Sequence, residues 1–453
     1  MVTAEVDVAV VGMGVGGEEV AGRLAEAGWT VVGIESRLVG GECPYYGCVP
    51  TKMMIRAANL LAEARRIPGM AGASEVRSDW APVARRIREE ATDNWDDKVA
   101  VDRFTDKGGQ FRRGFGRVTG RGRVEVDGET YTARRAVVLG VGTAPAVPPI
   151  EGLSDTPYWT NREAIEAETL PASMLVLGGG AVGLELAQAY ARFGVTVTVV
   201  EALDRLLAIE EPESSALAGS ALAKDGIAIR TGAKTVHVAH DGAEFALTLD
   251  DGTPLTAERL LVATGRRANL SDLGIDSIGL DPTAHAITVD DRMRAADGVW
   301  AVGDVTGRGA FTHVAMYQAG IAVRDILGLD GPPADYRALP RVTFTDPEIG
   351  GVGLTEAQAR EAGLRVQVGL TNLPSSARGW IHKAGNDGFI KLVADADRGV
   401  LVGATSAGPV GGEVLAGLAV AVHGEVPVDR LRHMIYAYPT FHRAIEDALR
   451  DLS

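Results

Sequence analysis

Short apolar runs, glycine-rich turns and stretches of helical spacing alternate along the chain, and the same order occurs twice. Residues 6–11 read as a buried strand, 12–17 as a turn, 18–27 as a helix and 30–34 as a second strand. The order returns with a strand at 174–177, a turn at 178–183, a helix at 184–193 stopped by Gly194, and a strand at 196–200. Continuous apolar runs of this length fit a parallel sheet covered on both faces. Between the repeats, residues 51–64 and 80–101 have helical spacing. Residues 109–133 read as a meander turning at Gly120-Arg121-Gly122 and Asp127-Gly128, and 136–139 as a separate buried strand. Strands at 260–262 and 298–302 follow, then a helix at 311–326. Beyond Pro332-Pro333 the pattern changes, and 389–394 with 399–406 reads as a hairpin of another module.

The two turns share a spacing. Gly12, Gly14 and Gly17 form G-x-G-x-x-G between a strand and a helix, and so do Gly178, Gly180 and Gly183. Such glycines permit a tight turn and bring the backbone close to a pyrophosphate at the helix N-terminus. Each next strand closes on an acid eighteen residues after the last glycine, Glu35 after Gly17 and Glu201 after Gly183. A carboxylate there can accept hydrogen bonds from ribose hydroxyls. The chain therefore reads as binding two dinucleotides.

Length and charge narrow the class. A chain of 453 residues suggests two to four domains. Sixty acidic residues against 45 basic ones give a net charge of −15, which argues against nucleic acid or an anionic membrane as main partner. No apolar run approaches the roughly 18 residues that span a bilayer. Residues 1–5 carry no basic segment of the secretory type, so a cytoplasmic location is expected. No metal site is expected.

The only two cysteines, Cys43 and Cys48, lie in Gly40-Gly41-Glu42-Cys43-Pro44-Tyr45-Tyr46-Gly47-Cys48-Val49-Pro50-Thr51-Lys52. Two buried structural thiols are the plain alternative. The glycine and proline flanks shape a loop instead, and the helical run starting near Lys52 puts Cys48 near a helix N-terminus, where a thiolate is favoured. The stretch resembles the active-site helix of the FAD-dependent pyridine nucleotide-disulfide oxidoreductases, which include dihydrolipoyl dehydrogenase, glutathione reductase and mercuric reductase. The resemblance extends through Ala263-Thr264-Gly265, Gly303-Asp304 and residues 342–350.

That resemblance implies an α/β protein with two Rossmann-like domains and a C-terminal α+β dimerisation domain. Residues 1–149 with 266–330 would bind FAD, 150–265 NAD(P), and 331–453 would pair two subunits. It places Gly12, Gly14, Gly17, Glu35, Gly41, Lys52, Gly116, Gly142, Asp304 and Thr312 at FAD. It places Gly178, Gly180, Gly183, Glu185, Glu201 and Gly265 at NAD(P). Cys48 would be the sulfur nearest the flavin and Cys43 the thiol that meets a small-molecule acceptor, with Lys52 and Glu185 as an ion pair.

Departures bear on the substrate. Pro44, Tyr45 and Tyr46 stand where relatives carry small or aliphatic residues. Near the C-terminus the family's His-Pro-x-x-x-Glu is replaced by Tyr438-Pro439-Thr440-Phe441-His442-Arg443. Tyr438 takes the place of the acid/base His, and an ordinary tyrosine, with a pKa of about 10, is a poor base near neutrality. His442 is either a relocated base or a packing residue. The second cysteine pair that ends mercuric reductases is missing here. Glu201 favours NADH over NADPH, although Arg205 could reach a 2′-phosphate. The expected activity is NAD(P)H-dependent reduction of a disulfide or similar soft acceptor. The rivals are a quinone, dye or metal-ion reductase and a catalytically silent binding protein.

Overall fold

The computed structural model describes residues 3–453. The chain forms two compact units: Met1–Pro50, Arg85–Ala146 and Gly265–Asp335 in one, and Thr51–Ala84, Val147–Thr264 and Tyr336–Ser453 in the other.

In the first unit the strand Thr3–Val11 lies at the centre of a sheet, parallel to Val31–Glu35 on one side and to Glu129–Leu139 on the other. Val299–Ala301 and Gln110–Arg113 extend it outward. Val8, Ala9 and Val10 are fully buried, which explains a run without polar alternation. The helix Val15–Glu26 adds Val20, Ala21 and Leu24 to that core, and Thr312–Ile326 adds Ala319 and Ala322. Gly16 permits this helix pair to approach, since a Cβ there would lie 3.4 Å from the Ala315 Cβ.

Two expectations are corrected here. The buried segment 136–139 is not separate; it is the end of the eleven-residue strand Glu129–Leu139. The helix expected over 80–101 is broken into Ala81–Arg86, a π-turn at Ile87–Ala91 and Lys98–Asp106. Asp93, Asn94 and Trp95 between them all have φ near +50°. The Thr92 hydroxyl donates to the Arg88 carbonyl at 3.0 Å and accepts from the Trp95 amide at 3.4 Å, which satisfies the broken helix end.

The second unit holds three sheets. Ala228–Arg230, Thr196–Val200, Ser173–Leu177 and Arg259–Val262 form a parallel sheet in that order. Residues 235–257 add a three-stranded antiparallel sheet. Pro340–Thr343, Glu348–Gly353, Val400–Gly408, Phe389–Asp395 and Val366–Asn372 form an antiparallel sheet of five.

The helix Ala181–Arg192 buries three polar side chains, Glu185, Gln188 and Arg192. They bind the loop between the first two strands of the five-stranded sheet. The Gln188 Oε1 accepts from the Asp346 amide at 2.8 Å, and Arg192 Nη2 donates to the Asp346 carboxylate at 2.8 Å. Every buried polar group in this contact thus has a partner. No helix among the described residues is long and apolar enough to cross a membrane.

Candidate functional site

The two repeats fold alike in atomic detail. In the first, Gly14 is the N-cap of Val15–Glu26. Glu35 Oε2 accepts the Met13 amide at 2.8 Å and Oε1 accepts the Arg37 amide at 2.8 Å. In the second, Gly180 is the N-cap of Ala181–Arg192, and Glu201 accepts the Gly179 amide at 2.6 Å and the Leu203 amide at 2.8 Å. Each acid therefore anchors the glycine turn by backbone amides.

The glycines have different reasons. Gly12 has φ +87° and Gly178 φ +109°, both in the left-handed region. Gly17 and Gly183 are crowded: a Cβ would lie 1.9 Å from the Gly12 carbonyl oxygen and 2.3 Å from that of Gly178. Gly14 and Gly180 are neither. Their φ/ψ of −65°/177° and −84°/178° suit any residue. A Cβ on Gly180 meets no protein atom within 4 Å, and one on Gly14 comes no nearer than 3.8 Å.

Around the first turn, Gly41 packs against Gly14, where a Cβ would lie 2.9 Å from the Gly14 Cα. Gly116 sits against Val11 and Ile34. Asp304 Oδ2 accepts the Thr143 hydroxyl at 2.9 Å, and Arg266 donates to Thr143 Oγ1 at 2.8 Å and its carbonyl at 2.7 Å. Burial raises the Asp304 carboxyl above its ordinary range, against the opposing pull of Thr143 and Arg266. Gly142 has φ +62°, and a Cβ there would meet nothing within 4 Å. Sequence reasoning missed Thr143 and Arg266, although both directly follow motif glycines. Gly265, expected at the second site, opens the return segment of the first unit, where its carbonyl accepts the Ala146 amide at 2.9 Å.

The cysteines stand at the join of two helices. Cys43 lies in the short helix Glu42–Tyr45, and Cys48 is the first residue of Cys48–Arg65. The helix starts before Lys52 because Pro50 falls in its first turn, where no amide donor is needed. Gly47 lets the chain fold back, since a Cβ would lie 3.1 Å from the Glu42 carbonyl oxygen. Both residues are thiols, Cys43 half-buried and Cys48 exposed. The Cys48 Sγ is 3.4 Å from the hydroxyl of Thr312, the first residue of its helix. The Cys43 thiol is pushed well up, first by its hydrogen bond to Cys48 and then by burial. Cys48, at the helix N-terminus, is the acceptor of that bond. Cys43, Pro44 and Tyr45 line a cleft of about 570 Å³.

In the second unit Lys52 and Glu185 form an ion pair at 2.7 Å. Glu185 also accepts the Phe344 amide at 2.8 Å, and Lys52 Nζ lies 4.6 Å from the Phe344 ring centroid. Phe344 was not foreseen; nothing in its local spacing marks it. The C-terminal residues lie in this unit too, whereas Cys43 belongs to the first. Tyr438 is 69% exposed. Arg443 sits 5.6 Å from the Tyr438 ring centroid and pairs with Glu446 at 2.7 Å. The His442 ring is 6.2 Å from that of Tyr436.

Comparison with known proteins agrees with this geometry. Residues 6–319 match the pyridine nucleotide-disulphide oxidoreductase family, and residues 339–449 match its dimerisation domain. Dihydrolipoyl dehydrogenase of Thermus scotoductus is 34% identical, the alignment covering 98% of this chain and 97% of the relative. Mercuric reductase of Shigella flexneri is 33% identical over 96% of this chain and 78% of its own length. The Cu(II) complex of the HOCl-induced flavoprotein disulfide reductase RclA from Escherichia coli superposes with a TM-score of 0.87 at 25% identity, covering 98% of this chain and 99% of that one. The chain belongs to the pyridine nucleotide-disulfide oxidoreductases, flavoproteins that use FAD and NAD(P)H.

Proposed function

We propose that the protein is a homodimeric, NADH-dependent flavoprotein that reduces a disulfide or related soft acceptor through Cys43 and Cys48. The observation that carries this reading is the thiol pair itself, with Cys48 opening a helix and Cys43 lining a cleft.

The residues present fit both cofactors. Nothing in the fold requires glycine at Gly14 or Gly180, yet a side chain at either would fill the space above a helix N-terminus. A pyrophosphate held by those amides accounts for both. In this reading the first turn, with Glu35, Gly41, Gly116, Gly142, Asp304 and Thr312, holds FAD, and the second, with Glu201, holds the nicotinamide dinucleotide. FAD, when bound, supplies two-electron transfer between nicotinamide and dithiol. Lys52 and Glu185 fix one another's orientation, and Cys43 presents its sulfur to the acceptor.

Two observations refine the reading. Arg205 is tied back to its own segment, donating to the carbonyls of Ala208 at 2.5 Å and Glu210 at 2.9 Å and to the Ser215 hydroxyl at 2.8 Å. It is thereby withdrawn from a 2′-phosphate, which leaves Glu201 to favour NADH. Tyr438 and Arg443 replace the acid/base pair of the dithiol-oxidising relatives. This favours, as a second reading, acceptors that need no thiol protonation, such as quinones or metal ions.

The test is NADH oxidation with a panel of disulfides, quinones and metal ions, together with thiol release. Two thiols per NADH from a disulfide, abolished in Cys43→Ser, supports the first reading. Quinone reduction that survives Cys43→Ser, with no disulfide turnover, supports the second.

A further inference from the structure

The cleft beside Cys43 has a charge pattern that disulfide reduction alone does not require. Four carboxylates line it, Glu18, Glu19, Asp93 and Asp96, against two basic side chains, Arg103 and Lys107. Both bases are held by acids of the helix Val15–Glu26. Arg103 Nε donates to Glu18 at 2.8 Å, and Lys107 Nζ lies 3.2 Å from Glu26. Glu19 has its ion pair with Arg23, long at 3.8 Å and largely exposed, so little of its charge is neutralised. Asp96 accepts the Lys98 amide at 2.8 Å. The phenol of Tyr45, in the same wall, is pushed up to about 12, by burial first and then by the negative charges of Asp97 and Glu18. Both bases of the cleft are thus paired with acids, and its lining carries two more acids than bases.

We infer that the cleft selects its acceptor by charge: it takes organic disulfides that carry ammonium groups and turns away those that carry carboxylates. The inference rests on the reading of Cys43 and Cys48 as a redox pair. The Cys43 thiol passes its proton to Cys48 and attacks one substrate sulfur; the substrate S–S bond breaks, and the leaving half takes that proton to depart as a thiol. Cys48 then attacks the Cys43 sulfur, releasing the second half as a thiol and closing the Cys43–Cys48 disulfide. NADH and a proton restore the dithiol, so NADH, H⁺ and RSSR give NAD⁺ and two RSH. A cleft of one sign, with low-dielectric walls, concentrates ligands of the opposite sign by factors of roughly 10 to 10³.

The charge bias is measurable without turnover. In Cys48→Ser, Cys43 is the only thiol of the chain. Its rates with trimethylammonioethyl and sulfonatoethyl methanethiosulfonate are compared with those of free 2-mercaptoethanol. The expected ratio favours the cationic reagent by about tenfold or more over the free thiol at low salt, and falls as salt is added. Glu19→Gln, and the triple variant Glu19→Gln/Asp93→Asn/Asp96→Asn, should lower the ratio several-fold. Glu75→Gln, outside the cleft, should leave it unchanged. A ratio equal to the free thiol's, or one unmoved by the cleft variants, overturns the inference. In the wild type, kcat/KM should fall in the order cystamine, 2-hydroxyethyl disulfide, 3,3′-dithiodipropionate; the reverse order also overturns it. If labelling shows the bias but no disulfide is reduced, the charge selection stands and the disulfide-reductase reading falls.

Discussion

Replacing Gly180 by alanine separates what the fold needs from what a ligand needs. The backbone at Gly180, φ −84° and ψ 178°, is open to any residue, and the new methyl meets no protein atom within 4 Å. The variant should therefore fold as well as the parent, or gain about 0.4–1 kcal/mol from a less flexible unfolded chain. A bound pyrophosphate would meet that methyl. Moving away from the helix N-terminus would cost it about one charge-assisted hydrogen bond, worth about 1.5–3 kcal/mol. At about 1.4 kcal/mol per tenfold, the KM for NADH should rise roughly ten- to a hundredfold.

Gly183→Ala gives the contrasting result. Its Cβ would lie 2.3 Å from the Gly178 carbonyl oxygen, so the turn must shift, at a cost of about 1–3 kcal/mol in stability as well as affinity. The assay pairs urea denaturation with steady-state kinetics in NADH, while bound FAD is followed by absorbance. An unchanged KM in Gly180→Ala would mean that no cofactor approaches this backbone. A loss of stability equal to that of Gly183→Ala would mean that the glycine serves the fold.

NADH should exceed NADPH in kcat/KM by at least about tenfold, and Glu201→Gln should narrow the gap; steady-state kinetics with both cofactors decide it. Dihydrolipoamide and oxidised glutathione should turn over slowly, since a positioned base contributes roughly 10²- to 10⁴-fold and Tyr438 with Arg443 does not reproduce one. Efficient turnover with a pH profile lost in His442→Ala would make His442 the base. Lys391, 2% exposed, is held by Glu211, Glu213 and Glu356 at 3.0, 2.8 and 3.0 Å. Lys391→Met should lose about 3–5 kcal/mol in urea denaturation at pH 7, because three carboxylates are left facing one another. Arg360 and then Lys391 lower the Glu356 carboxyl, so its stabilisation is present above pH of about 4.3 and lost as pH falls through its lower folded value. Lys391 is raised, so its stabilisation is present below pH of about 10.4 and lost only as pH climbs through its higher folded value. The parent should thus be flat across neutral pH, while the deficit of Lys391→Met shrinks on acidification as Glu356 protonates.

What the sequence made legible was local. Strand, glycine turn, helix and acid stand at fixed spacing, so both turns could be placed with Glu35 and Glu201, but the backbone amides that these acids accept were not read from it. The Lys52–Glu185 pair joins residues 133 positions apart and was reached through resemblance alone. The break at Asp93, Asn94 and Trp95 was hidden because helical periodicity runs through it, and only the Thr92 hydrogen bonds explain where the helix stops. The cleft was invisible for a different reason. Its carboxylates come from the first helix, at Glu18 and Glu19, and from the broken segment, at Asp93 and Asp96, and nothing in either stretch says that they face a common space.

The central claim is that Cys43 and Cys48 store an electron pair beside that held by FAD. Anaerobic titration of the holoenzyme with dithionite, followed by absorbance, tests it directly. The wild type should take up two electron pairs per subunit, and Cys43→Ser one. Uptake of a single pair by the wild type, with its two cysteines shown to be unmodified beforehand, would contradict the account.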